Sequence, residues 1–76
     1  MLEKLQEIFR DLMDDEELTI TEDSDRENTE EWDSLFQVSL MSVVSDEFDI
    51  ELDTDDIAGA TSVRKIMDII EREKNK

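Results

Sequence analysis

Ser34 through Ser45 carries no charge, in a chain whose formal net charge is −16. Acids close on this run from both sides: Glu30, Glu31 and Asp33 before it, then Asp46, Glu47, Asp49, Glu51 and Asp53 after it. A neutral segment in so acidic a sequence lies in a core or faces a partner. Wound as a helix, at about 100° per residue, it does both. Phe36, Leu40, Met41, Val43, Val44 and Phe48 gather on one broad arc. Ser34, Leu35, Val38, Ser39, Ser42, Ser45 and Asp46 fall on the opposite one. Leu35 and Val38 are bare aliphatics on that polar arc, close to a serine in the first turn. Such a helix end is built to be touched.

The rest of the composition narrows the fold. The chain has 76 residues, room for a single domain (1–76) with one small core. It has no proline and one glycine, Gly59. That fits helices joined by polar loops and argues against hairpins, whose turns favour glycine. Between Asp11 and Val63 the only base is Arg26, against 19 acids. Such a surface repels nucleic acid and anionic lipid, so neither is expected as a partner. It draws proteins with basic patches instead, although charge of this kind also serves solubility alone. Cysteine and histidine are both absent, which removes disulfides, thiolate and imidazole metal sites, cysteine nucleophiles and histidine acid–base chemistry. No apolar run approaches a membrane span, and Met1-Leu2-Glu3-Lys4 lacks a signal peptide's apolar segment. A cytoplasmic monomer is the expectation.

Leu2, Leu5, Ile8, Phe9 and Leu12 recur at helical spacing and predict a first helix over residues 2–13. A long polar connection over 14–31 follows, with Leu18 and Ile20 expected to anchor it on the core. The second helix is expected over 34–48. Ser34-Leu35-Phe36-Gln37 matches a capping box, serine at the cap and glutamine three residues on, so Ser34 has a purely structural reading. Asp49 to Asp53 alternates like a strand but has no partner, and reads as an extended loop turning Ile50 and Leu52 inward. Thr54, a capping residue followed by acids, opens a short helix over 54–59. A last helix over 62–73 begins at Ser62 and turns Val63, Ile66, Met67, Ile69 and Ile70 to the core, with Arg72, Lys74 and Lys76 suiting its C-terminal end. The prediction is an all-α bundle of three main helices and a short one.

Several chemistries fail on their own requirements. Asp23 to Asn28 offers oxygens at calcium-loop positions 1, 3 and 5, but Asn28 stands where glycine is needed and Ser34 where a bidentate glutamate is needed. The run from Asp49 fails likewise, at Thr54 and Ala60. Acid–base catalysis needs a carboxyl whose pKa is shifted by burial or partnering, and exposed acids in polar loops give no reason to expect one. No glycine-rich loop is present to cradle a nucleotide phosphate. The chain does not read as an enzyme, and no metal site is expected.

Asp33-Ser34-Leu35 opening the second helix, followed by Asp46-Glu47-Phe48-Asp49-Ile50, resembles the acyl carrier proteins. The similarity runs through Glu51-Leu52-Asp53 and the short helix to Thr61-Ser62-Val63, about Glu31 to Glu71, with the first helix alike in character only. The resemblance implies that Ser34 carries 4′-phosphopantetheine, flanked by Asp33 and Leu35. A phosphopantetheinyl transferase would attach it from coenzyme A. The working thiol would then arrive on the arm, in a chain that has no cysteine of its own, and carry acyl groups as thioesters. The implied partner face is Leu35, Val38, Ser39, Ser42, Asp46, Glu47 and Ile57, with Asp33, Asp46 and Glu47 steering basic enzymes: a loading ligase, acyltransferases and acyl-processing enzymes.

Fatty-acid carriers usually bear glutamates on the second helix, where this chain has Ser39 and Ser45, and Phe36 replaces a residue that is often acidic. That departure, with Trp32 before the motif, resembles carriers of dedicated pathways rather than of housekeeping fatty-acid synthesis. An aminoacyl, D-alanyl or peptidyl carrier is the alternative within the family. The alternative outside it is an acidic helical interaction module without a prosthetic group, in which Ser34 only caps a helix.

Overall fold

The first helix, α1 (Leu2–Met13), buries Leu5, Ile8 and Phe9, the centre of the predicted stripe, with Leu2 and Leu12 packed at its margin. The computed structural model describes residues 1–29 and 31–75; Glu30 and Lys76, weighed above for their charge, lie outside the described residues. Three further helices follow among the described residues: α2 (Ser34–Phe48), α3 (Thr54–Gly59) and α4 (Val63–Lys74). The bundle is all-α, as predicted, and α1, α2 and α3 keep the expected bounds. The last helix does not: it was expected over 62–73 and runs one residue later at each end. Ser62 is its N-cap, accepting a bond from the Lys65 N–H (3.1 Å), so Ser62 itself stays extended.

Aspartate ends the first two helices, in a chain with little glycine. Asp14 after α1 and Asp49 after α2 both adopt the left-handed conformation (φ 53° each), which Asp tolerates better than most residues. The turn at Asp49 brings the Ile50 N–H to the Ser45 carbonyl (3.1 Å), and Ser45 Oγ donates to the Ile50 carbonyl (2.6 Å). Ser45, assigned above to the outward arc, is therefore half-buried. Ile50 turns inward as expected, and Leu52 packs at the edge of the core.

The core joins α1, α2 and α4 through Leu5, Phe9, Leu40, Met41, Val44, Val63, Ile66 and Ile70, each no more than 1% exposed. Three of the four aromatic rings meet at one end of it. Phe9 lies 5.1 Å from Trp32, edge to face, and 5.4 Å from Phe36, while Trp32 and Phe36 are 6.1 Å apart. This cluster seats the start of α2 against α1.

The long connection between α1 and α2 is held at both ends and in the middle. Arg10 Nε donates to the Leu18 carbonyl (2.6 Å), and the Ile20 N–H donates to Gln6 Oε1 (3.1 Å). Ile20 is buried and Leu18 packs beside it, the anchors expected of them. Farther on, the loop pairs with the residues before α4. The Arg26 N–H donates to the Thr61 carbonyl (3.0 Å) and the Val63 N–H to the Ser24 carbonyl (2.9 Å), with Asp25 and Ser62 opposed as an antiparallel bridge. Residues 24–26 are thereby fixed beside the entry to α4.

Candidate functional site

Asp33, and not Ser34, caps α2. Its backbone is extended (φ −104°, ψ −173°), and its Oδ1 accepts the Phe36 N–H (2.9 Å). The capping box predicted from Ser34 and Gln37 is not formed. Asp33 competes for the same orphan N–H groups and stands one residue earlier, which leaves Ser34 as the first helical residue. Ser34 is exposed, and its hydroxyl is released from structural duty. The bond recorded at its Oγ comes from Arg26 Nη2, at 3.2 Å.

Gln37 works elsewhere. Its side chain is buried, where Oε1 accepts from Trp32 Nε1 (2.5 Å) and Nε2 donates to the carbonyls of Ile57 (2.8 Å) and Ala60 (2.7 Å). The last carbonyls of a short helix lack partners within it, and Gln37 supplies them for α3. The short helix is fixed to α2 in this way. A second tie runs to α4, where Arg72 Nη2 donates to Asp56 Oδ2 (2.8 Å). That bond is the main reason the Asp56 carboxyl sits below its ordinary pKa of 3.8.

Beside Ser34 runs an apolar stripe. Leu35 is 80% exposed and Val38 is 59% exposed. Ser39, Ser42 and Asp46 continue the exposed face along α2 without a base among them. The other expected members of the face are Glu47 and Ile57. Glu47 turns toward α1, where its carboxylate is 3.6 Å from Lys4 Nζ. Ile57 is half-buried against the core, and its carbonyl is held by Gln37.

The start of α2 is thus held from three sides: the Asp33 cap, the aromatic cluster through Trp32 and Phe36, and the loop carrying Arg26. What it presents outward is one hydroxyl, one guanidinium and two aliphatic side chains. A nucleophilic hydroxyl on a rigid first turn, next to an apolar landing surface, suits covalent modification by a docking protein. Among the described residues no group of carboxylates is arranged to hold a metal ion. No helix there is long and apolar enough to cross a membrane. Arg26, Trp32 and Gln37 were not singled out for this site from the sequence, although Arg26 stood out as the one base in its stretch.

No protein-family model and no curated protein sequence matches the chain. A solved structure does. The solution structure of a holo acyl carrier protein from Geobacter metallireducens superposes with a TM-score of 0.84, covering 97% of this chain and 85% of that one, at 22% sequence identity. The four-helix arrangement described above is the acyl carrier protein fold.

Proposed function

We propose that this protein is a carrier protein whose Ser34 bears 4′-phosphopantetheine and whose cargo travels as a thioester on that arm. The observation that carries the proposal is the state of Ser34. It is exposed on the first turn of α2, relieved of capping by Asp33, and set in Asp33-Ser34-Leu35 within the acyl carrier protein fold. A serine at that place needs another reason to be there, and modification supplies one.

The residues present fit the group. The N-terminal end of a helix carries partial positive charge, which favours a phosphodiester, and the Arg26 guanidinium already contacts the hydroxyl. In loading, the Ser34 Oγ–phosphorus bond would form as the pyrophosphate bond of coenzyme A breaks. Adenosine 3′,5′-bisphosphate leaves, and the hydroxyl proton passes to the transferase. When bound, the arm supplies the thiol that the chain lacks. In this reading Asp33 fixes the serine on its turn. Leu35 and Val38 give the transferase and later enzymes an apolar contact, and the acids around them, Asp46 first, draw basic partners.

The exposed face of α2 favours dedicated partners. Ser39 and Ser42 leave its middle neutral, so binding there rests more on Leu35 and Val38 than on charge. Loading by one ligase for one acyl or aminoacyl group follows from this more naturally than service to general fatty-acid elongation. Equal processing of the holo-protein and the cell's main carrier by elongation enzymes would rule that out.

Intact mass tests the central claim. After incubation with coenzyme A, Mg²⁺ and a promiscuous phosphopantetheinyl transferase, the wild type should gain one phosphopantetheine. Ser34→Ala and Ser34→Thr should gain none. If the folded wild type gains no mass, the protein is an acidic interaction module and Ser34 carries nothing.

A further inference from the structure

Arg26 is the base in contact with the Ser34 hydroxyl. Lys4, Arg64 and Arg72 each pair with a carboxylate. Among the described residues no carboxylate pairs with the Arg26 guanidinium, although Asp25 and Glu27 flank it in sequence. Asp25 Oδ1 accepts the N–H groups of Glu27 and Asn28 instead (2.9 Å each). What distinguishes Arg26 from the other bases without an acidic partner is its place beside the start of α2. Its backbone is fixed by the bond to Thr61 and the bridge beside it, and its Nη2 donates to Ser34 Oγ at 3.2 Å.

Arg26 also walls a half-open cleft of about 570 Å³, together with Asp25, Glu27, Thr61, Ser62 and Lys65. Lys65 is the other base there. Its Nζ donates to Thr61 Oγ1 at 3.4 Å, and no carboxylate among the described residues pairs with it. Two cations without acidic partners therefore stand on one cleft next to the serine, where acids dominate all around.

We infer that Arg26 holds the phosphate of the group esterified to Ser34, so that the root of the arm is anchored and points over this cleft. The inference rests on the carrier reading of Ser34. A phosphate oxygen built on Oγ lies within reach of a guanidinium that already touches that atom, and a guanidinium–phosphate bond is charge-assisted and directional. Arg26 also offsets the charge that modification adds to an acidic helix end. It is a positioning residue: it sets where the arm begins, and the chemistry stays with the transferase.

The experiment compares wild type, Arg26→Gln and Arg26→Lys, each as apo- and holo-protein, with loading verified by intact mass. In the wild type, the ³¹P resonance of the loaded phosphodiester should be displaced from its position in the urea-unfolded holo-protein, and loading should move the Arg26 Nε–Hε signal. Loading should also raise the melting temperature by several degrees, since even a partly screened bond shifts the midpoint measurably in a domain this small. Arg26→Gln should load and fold but lose all these changes. Arg26→Lys keeps the charge and should recover part of the ³¹P shift and the melting gain. Identical ³¹P and melting changes in wild type and Arg26→Gln would overturn the inference while leaving the carrier reading intact. Failure of the wild type to gain mass would overturn both.

Discussion

Two adjacent side chains at the start of α2 divide the work that one was expected to do. Because Asp33 Oδ1 takes the Phe36 N–H, removing the Ser34 hydroxyl leaves the cap in place. Ser34→Ala should melt within experimental error of the wild type. Asp33→Ala should lose about 0.5–2 kcal/mol, the usual worth of an N-cap. Urea denaturation of the two variants decides it, and equal losses would return the cap to Ser34. Gln37 has larger consequences. Gln37→Leu strips the partner from Trp32 Nε1 and from the carbonyls of Ile57 and Ala60, three groups at the seam between α2 and α3. Each buried group left unpaired costs about 1–3 kcal/mol, so this variant should be among the most destabilised single changes in so small a domain. The sequence misled here for a definite reason. Ser34-Leu35-Phe36-Gln37 satisfies the local rule for a capping box, and nothing local says that the amide faces a carbonyl 23 residues away. Trp32 was equally silent, since its ring finds Phe9 and Phe36 only after α1 and α2 have packed.

At the scale of elements, what was legible was what repeats or punctuates. Helix bounds at 2–13, 34–48 and 54–59 follow from apolar spacing and from polar residues at the ends, both of which act over one or two turns. The cap of α3 was misread for the same reason as that of α2. Thr54 and Asp53 are both capping types, and the structure uses Asp53, which exchanges bonds with Asp56 in a full capping box. The tie between the long loop and the start of α4 was not legible, because a single bridge at Asp25 and Ser62 leaves no periodic trace. The short helix is joined to α4 by the bond from Arg72 to Asp56, and this gives it a pH response. The Asp56 carboxyl is held below its ordinary value of 3.8 chiefly by that bond. A carboxyl whose pKa is lower folded than unfolded contributes stability above the unfolded value, and that contribution fades as pH falls through the folded one. Wild-type stability should therefore fall below about pH 4, and part of that acid limb should vanish in Asp56→Asn. Arg72 is half exposed, which keeps the effect modest, so urea midpoints taken at closely spaced pH values are the right readout. An acid limb of the same steepness in both proteins would show that the bond does not persist in solution.

For the molecule as a whole, charge acts on folding and on encounter in opposite senses. The net charge of −16 is confined to a body of 34 × 22 × 20 Å. At about 10 mM salt the Debye length is near 30 Å, so carboxylates repel one another across the entire domain; near 0.15 M it is about 8 Å, and only neighbours interact. The ion pairs to Lys4, Arg64 and Arg72 bind bases that are all roughly half exposed or more, and such pairs offset little of that repulsion. Raising salt over this range should therefore raise the melting temperature. On the carrier reading, encounter with a basic transferase should respond the other way, because the acidic surface that strains the fold would also draw such a partner in. The kcat/KM for loading Ser34 should fall over the same salt range, with the loss carried mainly by association rather than by turnover. Leu35→Ala should lower loading at every salt concentration without altering the slope, since an apolar contact is not screened. A melting temperature that rises while loading stays flat would place the steering charges off the docking face. The acids around Leu35 and Val38 would then serve solubility, and recognition would rest on the neutral stripe alone.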